Sequence, residues 1–300
     1  HQSRDTVLTP TENSADDKQA SLMEESQSRW LTRGNRVVIT DYYVPKNVQD
    51  DKESLRYKIF VRLNAKEKHF KKVSFLHCIF DGCYIHNCVF DTCDFTGCRF
   101  IGSNFHQTTF VGCDFRYATF ERTFIDSDIL ESEAPREENL RMHFSRSLRT
   151  NYQVLGDAKS VNKAIQIELG ATSTYLYKSW ASKERYYKKY AGFIKRSVQL
   201  LKWAEFWALQ AIWGNGESIL KLIRTFAILL LFIAVYDTLS NGTATDLSQY
   251  WSNFLRAPAV FLGVESPSNI SNGILSIITG SKFVLFVLLT TLLVKRFSRR

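Results

Sequence analysis

The sequence lacks the short motifs by which many enzymes bind nucleotides, metals or acyl groups. It contains no glycine-rich phosphate loop, no nucleophile elbow and no pair of histidines at metal-ligand spacing, and its six histidines are scattered. The six cysteines include no Cys-x-x-Cys pair. We therefore expect no catalytic residue, no metal site, no cofactor and no enzymatic activity.

The chain also lacks the overall hydrophobicity of a typical membrane protein. Its mean hydropathy is −0.19, and 23% of its residues are charged. This average conceals two different parts, because residues 219–300 are far more apolar than the rest. The net charge is +9, and basic residues concentrate before and after the apolar part, which predicts an anionic partner, a membrane surface or both.

An internal repeat with a period of five occupies residues 70–130. Large apolar residues recur at every fifth position from Phe70 to Ile125, and ten of these twelve positions are Phe. Neither a helix nor an ordinary strand has this period, so the chain must turn a corner every five residues and form a square coil. The predicted core contains the repeat phenylalanines Phe75, Phe80, Phe90, Phe95, Phe100, Phe105, Phe110, Phe115 and Phe120.

The position two residues before each large residue is small throughout the repeat, and it holds all six cysteines. One large and one small inward residue per side would fill a narrow bore. We therefore interpret the cysteines as reduced core residues, as expected in the cytoplasm, rather than as metal ligands or disulfides. Glycines follow the large residues by two positions, where we expect the corners, at Gly82, Gly97, Gly102 and Gly112.

This pattern resembles the pentapeptide-repeat family. The resemblance implies a right-handed quadrilateral β-helix over residues 70–130, with three coils that each rise about 4.8 Å. Two short strands, RVVIT at 36–40 and LRYKIFVRL at 55–63, are predicted to cap it within residues 31–69. Residues 1–30 are polar and aperiodic, and we predict that they are disordered.

Residues 131–213 are predicted to form a basic, helical, cytoplasmic linker, which loosely resembles the linker of pentapeptide-repeat membrane channels. Its part from Tyr175 to Trp203 interleaves aromatic and basic side chains. Such a surface would bind a nucleotide or oligonucleotide by stacking and charge neutralisation, or it would lie on anionic membrane lipids. The candidate contact residues are Lys183, Arg185, Tyr186, Tyr187, Lys188, Lys189, Lys195 and Arg196.

Residues 214–300 are predicted to form a transmembrane domain. The apolar runs at 219–239 and 274–294 each have about the twenty residues that a bilayer core requires. Lys221 and Arg224 are close enough to the start of the first span to reach the headgroups. Basic residues lie before the first span and after the second, so we expect a multi-pass protein of the cell inner membrane with both termini in the cytoplasm.

The segment between the spans gives the sharpest indication of function. Residues 247–262 are amphipathic and aromatic but too short to cross a membrane, which predicts a re-entrant helix. The order of span, short helix, Gly-containing loop, span and basic tail resembles the two-helix tetrameric channels of the potassium-channel superfamily. This resemblance implies a filter in the loop FLGVESP, formed by Gly263, Val264, Glu265 and Pro267.

The loop departs from the potassium-channel pattern because it has no second glycine, so we predict weak selectivity. A ring of Glu265 carboxylates would favour cations, whereas Arg256 or Lys282 would favour anions. A cation near the middle of a span is costly unless it faces a pore or a partner. We therefore expect Lys282 to line the pore, with a structural salt bridge as the alternative.

These expectations define a gated, poorly selective ion channel, with permeant ions, membrane lipid and an anionic cytoplasmic ligand as its partners. Two spans cannot enclose a pore alone, so we expect a homo-oligomer of four subunits. One alternative is a non-conducting, membrane-anchored scaffold that binds a protein through the repeat domain. A further hypothesis is a bacterial defence effector that depolarises its own cell.

Overall fold

The computed structural model describes residues 36–240, 247–265, 267 and 270–297, without the side chain of Arg296. The predicted disorder of residues 1–30 lies outside this range. The chain divides into two compact units, one that ends at Glu168 and one that begins at Leu169. Each unit is described separately below.

The first unit contains eleven short parallel strands. Their bounds are β1 Val38–Thr40, β2 Val48–Gln49, β3 Ile59–Val61, β4 Asn64–Lys66, β5 His69–Lys71, β6 Ile79–Asp81, β7 Tyr84–His86, β8 Val89–Asp91, β9 Arg99–Ile101, β10 Thr109–Val111 and β11 Thr119–Glu121. Three sheets pair in the orders β1-β3-β6-β9-β11, β10-β8-β5-β2 and β4-β7. Isolated bridges such as Ser74 with Asp94 link the turns on the remaining side. The predicted β-solenoid, followed by helices, is confirmed.

Stacked phenylalanine rings fill the bore of the solenoid. Phe80 pairs with Phe100 one turn later, and their ring centroids are 5.1 Å apart with nearly parallel planes. The same ring sequence continues to Phe120 at 4.8 Å. Neighbouring columns meet edge to face, as Phe100 and Phe105 do at 5.3 Å. Because every predicted core phenylalanine is buried, aromatic packing stabilises each turn against the next.

The small inward residues form a second ladder, made of hydrogen bonds. The six cysteines, Ser103 and Thr108 donate to backbone carbonyls of the preceding turn. For example, Cys98 Sγ donates to the Phe75 oxygen at 2.9 Å and Ser103 Oγ to the Phe80 oxygen at 3.1 Å. All six cysteines are free and buried. Burial raises the pKa of Cys83 to about 11, which keeps the thiol protonated at neutral pH. Their assignment as core residues agrees with these contacts.

The corners have positive φ whether or not they carry glycine. Gly97 has a φ of 69°, and its counterparts one turn away, His77 and Tyr117, have 54° and 60°. A corner residue can carry a side chain where that side chain points into solvent. At Gly97 a Cβ would lie 2.2 Å from the His77 ring, so a side chain there would require the ring to move.

The solenoid begins earlier than the repeat pattern indicates. Strand β1 pairs with β3 through Ile39 and Phe60, and β2 pairs with β5 through Val48 and Phe70. The predicted caps at 36–40 and 55–63 are therefore part of the coil, which has about four turns rather than three. The first turn contains one or two extra residues, which disguise its period in the sequence.

Two helices, α1 (Ile129–Ser132) and α2 (Glu138–Leu155), close the other end of the solenoid. Phe144 packs against the ring of Phe120, with centroids 5.8 Å apart. The side chain of Asn151 then replaces a missing strand: its Oδ1 accepts from the Thr123 N–H and its Nδ2 donates to the Thr123 carbonyl, both at 2.7 Å. Ser147 similarly accepts from the Phe120 N–H at 2.8 Å. These bonds satisfy strand-edge groups that would otherwise be buried without partners.

Six helical segments follow in the described residues. They are α3 (Ala158–Ala181), a 3₁₀ helix (Arg185–Tyr190), α4 (Phe193–Trp213), α5 (Ile219–Ser240), α6 (Leu247–Leu262) and α7 (Asn272–Phe297), the last four forming most of the second unit. Helices α5, α6 and α7 share an apolar core of buried side chains from all three and from the loop before α7, namely Leu230, Ile233, Ala234, Ala257, Val260, Phe261, Ile270 and Ile278.

Candidate functional site

A tight turn fixes the end of α4 beside the start of α5. Gly214 and Gly216 adopt positive φ values of 67° and 82°, which permit the reversal. Side chains of α5 then donate to the terminal carbonyls of α4, namely Lys221 to Gln210 at 3.2 Å, Thr225 to Ile212 at 2.7 Å and Arg224 to Ala211. Lys221 and Arg224, which we expected to reach lipid headgroups, thus bond to the C-terminal end of a helix.

Helix α6 runs antiparallel to α5 and ends beside its first half. Near the start of α6, Asn253 donates to the Thr238 hydroxyl at 2.9 Å. At the end of α6, Phe261 packs edge-on against Phe226, with ring centroids 5.2 Å apart. Thr238 and Phe226 lie about 18 Å apart along α5, at 1.5 Å per residue. The end of α6 is therefore deep within the length of the first candidate span.

The chain reverses direction after α6. Gly263 has a φ of 78°, and the Val264 N–H donates back to the Ala259 carbonyl at 2.9 Å. Within α7, which begins at Asn272, the Lys282 amine donates to the Leu262 carbonyl at 3.2 Å. Lys282 lies about 15 Å into α7, so the end of α6 is also level with the interior of the second candidate span.

Lys282 therefore has a backbone partner at the C-terminal end of α6. A cation at this end of a helix interacts favourably with the helix dipole and with unpaired carbonyls. Lys282 is half-buried. Its amine contacts this carbonyl and lies 5.5 Å from the centroid of the Phe283 ring, and among the described residues it forms no salt bridge of the kind considered as its structural alternative.

Arg256, Asp237 and Glu265 form a group that we call the α6 charge cluster. The Arg256 guanidinium pairs with the Glu265 carboxylate and lies 3.9 Å from an Asp237 oxygen. Asp237 is only 2% exposed. The sequence left open whether Glu265 favours cations or Arg256 favours anions. The structure joins the two side chains in one ion pair.

The other two filter candidates have different environments. Val264 is exposed, whereas Pro267 is buried. Of these two residues, only Val264 is therefore accessible in one chain.

Sequence reasoning missed three polar residues that the structure brings together in this unit: Asp237, Thr238 and Asn253. All three are buried. Asp237 had a usable signal, because it is the only acidic residue in the 22-residue apolar helix α5. Asn253 had none, since its role depends on the packing of α6 against α5.

The basic aromatic segment forms a packed cluster beside α4. The hydroxyls of Tyr175 and Tyr190 are 2.7 Å apart, and burial raises the pKa of Tyr175 to about 12. The Lys189 amine lies 3.9 Å from the centroid of the Tyr186 ring, a cation–π contact. Tyr187 is buried, so its ring cannot receive a base as we predicted.

The remaining predicted contact residues of this segment point to solvent. Exposed side chains are those of Lys183, Arg185, Lys188, Lys195 and Arg196. They leave a strongly basic surface around the aromatic cluster.

In the described part of the chain, two helices, Ile219–Ser240 and Asn272–Lys295, are long and apolar enough to cross a membrane. Each contains an 18-residue stretch with a mean hydropathy of 2.2. Only 22% and 11% of these 18-residue stretches are buried within the chain, whereas the core helix of a soluble protein is mostly buried.

A family model of pentapeptide repeats matches residues 78–117 in eight copies. No curated protein matches the chain. Within the described residues, no group of three or more His, Cys, Asp or Glu side chains could hold a metal ion.

Proposed function

We propose that this chain is one subunit of an oligomeric, ion-conducting membrane pore whose wall includes α6 and the loop that follows it. The observation that carries the proposal is the depth at which α6 ends. Leu262 contacts Lys282 in the interior of α7, and Phe261 contacts Phe226 in the first half of α5. Non-helical backbone at this depth is tolerated only where it meets protein or water. A water-filled path beside residues 263–265 satisfies that requirement.

The small buried fraction of both spans supports oligomerisation. One chain leaves most of the surface of α5 and α7 uncovered, and one re-entrant helix cannot enclose a path. A closed ring places the loop of each subunit at the axis, and we propose four subunits. Mass photometry of the detergent-solubilised protein tests this, and a monomer would refute the ring. The basic flanks of the spans favour an inner-membrane orientation with both termini in the cytoplasm.

The α6 charge cluster supports weak selectivity. A carbonyl ladder of the potassium-channel type needs backbone that this loop, with its single Gly263, does not supply. Arg256 also neutralises Glu265 in part. We therefore expect similar permeability for potassium and sodium, with the balance between cations and anions set by the ion pair.

Planar-bilayer recording of the purified protein in asymmetric salt tests this assignment. In Glu265→Gln, Arg256 keeps only the more distant Asp237, so the reversal potential should move toward the anion equilibrium potential. Arg256→Gln should move it in the opposite direction. Glu217→Gln is a matched control, because it removes a carboxylate from the Glu217–Lys295 ion pair before α5, away from the loop.

An unchanged reversal potential in both cluster variants would remove the loop from the conduction path. If the intact oligomer conducts no ions under any gradient, the pore proposal fails. The non-conducting scaffold, bound to a protein through the solenoid, would then be the remaining hypothesis.

We further propose that an anionic cytoplasmic ligand gates the pore through the basic segment. In sequence this segment joins the solenoid to α5, so a ligand that binds the open and closed states unequally would shift open probability. Arg185 and Lys188 are exposed and do not belong to the Tyr186–Lys189 contact. Charge reversal at both should weaken the response to nucleotides or oligonucleotides in a salt-dependent way. The double variant Lys52→Glu/Lys159→Glu, which changes the charge equally at two exposed positions of the first unit, serves as the control, and equal responses in all variants would refute ligand binding at this segment.

A further inference from the structure

Helix α4 has an apolar face that nothing in the described chain covers. None of its 21 residues is buried, although most are apolar. Seven large apolar side chains are exposed on it: Phe193, Ile194, Val198, Leu200, Leu201, Trp207 and Leu209. A surface of this kind is uncommon in a soluble monomer and marks a contact with a membrane or a partner.

These residues lie on one side of the helix. At 100° per residue they fall within an arc of roughly 200°, in which Ser197 and Glu205 are the polar interruptions. Lys202 and Arg196 lie at the two edges of the arc, and Lys195 lies just beyond Lys202. Helix α4 is therefore amphipathic, with basic residues along its polar side.

The polar side of α4 is the side that other elements occupy. Trp203 packs against Trp180 and Tyr177 of α3, with ring centroids 5.7 and 6.1 Å apart. These contacts of Trp203 with α3 hold α4 from one side and leave the apolar arc uncovered by the described chain.

The position of α4 relative to the first candidate span indicates what covers this arc. Lys221, Arg224 and Thr225 of α5 bond to the last carbonyls of α4. The end of α4 is consequently fixed at the start of α5, which is the level of the membrane surface if α5 crosses the bilayer. An apolar arc with basic flanks at that level matches an in-plane interfacial helix, and the lysines match anionic headgroups.

We infer that α4 lies in the membrane interface, with its apolar arc inserted among the acyl chains and Lys195, Arg196 and Lys202 on anionic lipid headgroups. This inference rests on the proposed membrane placement of α5. It assigns the lipid contact to α4, and it leaves the aromatic cluster around Tyr186 to the cytoplasmic side.

Site-directed spin labelling of the full chain in nanodiscs tests the inference. The six native thiols are buried, and burial raises the pKa of Cys78 and Cys83 to about 11, so introduced cysteines can be labelled selectively under native conditions. Nitroxides would be placed on the apolar arc at Leu201, Ala204 and Ala208, and on the polar side at Lys195, Gln199 and Lys202.

We expect the accessibility ratio of oxygen to a water-soluble nickel chelate to be several-fold higher on the arc than on the polar side, with a helical period. Replacing phosphatidylglycerol by phosphatidylcholine should reduce the depth of the arc labels. Exchanging Lys195, Arg196 and Lys202 for glutamine should remove that lipid dependence.

Two outcomes would overturn the inference. Arc labels that are immobile and inaccessible to both reagents would indicate a contact with a second copy of the chain, and labels that the nickel chelate reaches equally on both sides would place α4 in water. A label at Leu231, exposed on α5, separates this failure from failure of the pore proposal. If Leu231 is in lipid and Leu201 is not, only the inference about α4 fails; if neither is in lipid, the membrane placement fails.

Discussion

Asn151 provides a direct test of how the solenoid ends. Its carboxamide makes two hydrogen bonds of 2.7 Å to the backbone of Thr123, and both residues are at most 1% exposed. Asn151→Ala removes both partners and leaves a buried N–H and a buried carbonyl unpaired. At about 1–2 kcal/mol for each unsatisfied group, the expected loss is about 2–4 kcal/mol of unfolding free energy.

This loss should be visible both globally and locally. For a unit of this size it corresponds to a decrease in Tm of roughly 10 °C, measured on the detergent-solubilised chain. Hydrogen exchange followed by mass spectrometry should show faster exchange in peptides covering residues 118–125, with less change at residues 78–85. Asn151→Asp keeps the acceptor for the Thr123 N–H but places a buried carboxylate oxygen against the Thr123 carbonyl, so at neutral pH it should lose at least as much stability as Asn151→Ala.

Thr150→Ala is the matched control, because Thr150 is exposed on the same helix and bonds only to the Arg146 carbonyl. It should change the free energy of unfolding by less than about 1 kcal/mol. If Asn151→Ala is as stable as this control, and exchange near Thr123 is unchanged, the side chain does not act as a substitute strand and the reasoning is wrong.

Two further predictions concern the coil interior and its corners. Gly97→Ala should destabilise the chain by about 1–3 kcal/mol, because its Cβ meets the His77 ring at 2.2 Å in a strained backbone region. Gly102→Ala should cost less, since its Cβ meets open space. Equal losses of unfolding free energy in chemical denaturation would contradict the steric argument. Cys93→Ser should lose no more than about 1 kcal/mol, because its thiol already lies near a carbonyl acceptor of the preceding turn; a larger loss of stability would show that the ladder does not accommodate a hydroxyl here.

The solenoid could be predicted from the sequence because its determinants are local and repeated. A large residue every five positions and a small one two positions earlier specify the same corner many times. The first turn escaped prediction because Ile39 and Val48 occupy positions that pair with phenylalanines of the next turn, and because its register is longer. The cap by Asn151 also escaped, since an asparagine within a helix carries no sign of the strand edge that it meets.

The unit that contains the two candidate spans also combines features that the sequence predicts with contacts that it does not. Apolar length and charge asymmetry indicate candidate spans without knowledge of tertiary structure, and the short helix stands out because it cannot cross. The partners of its charges depend on packing. The pairing of Arg256 with Glu265, and the contact of Lys282 with Leu262, follow from where α6 ends, which the sequence does not specify.

The five-residue side of the solenoid has a consequence for how such a protein changes length. Removing twenty residues, such as 81–100, would rejoin the chain in the same register that pairs Phe80 with Phe100, and it would shorten the coil by about 4.8 Å without turning its exit. Removing five residues would instead rotate the direction in which the chain leaves by roughly a quarter turn, because the coil has four sides. The number of pentapeptides therefore sets both the length of the coil and the direction in which the chain leaves it. Each insertion or deletion of one pentapeptide changes that direction by a fixed step.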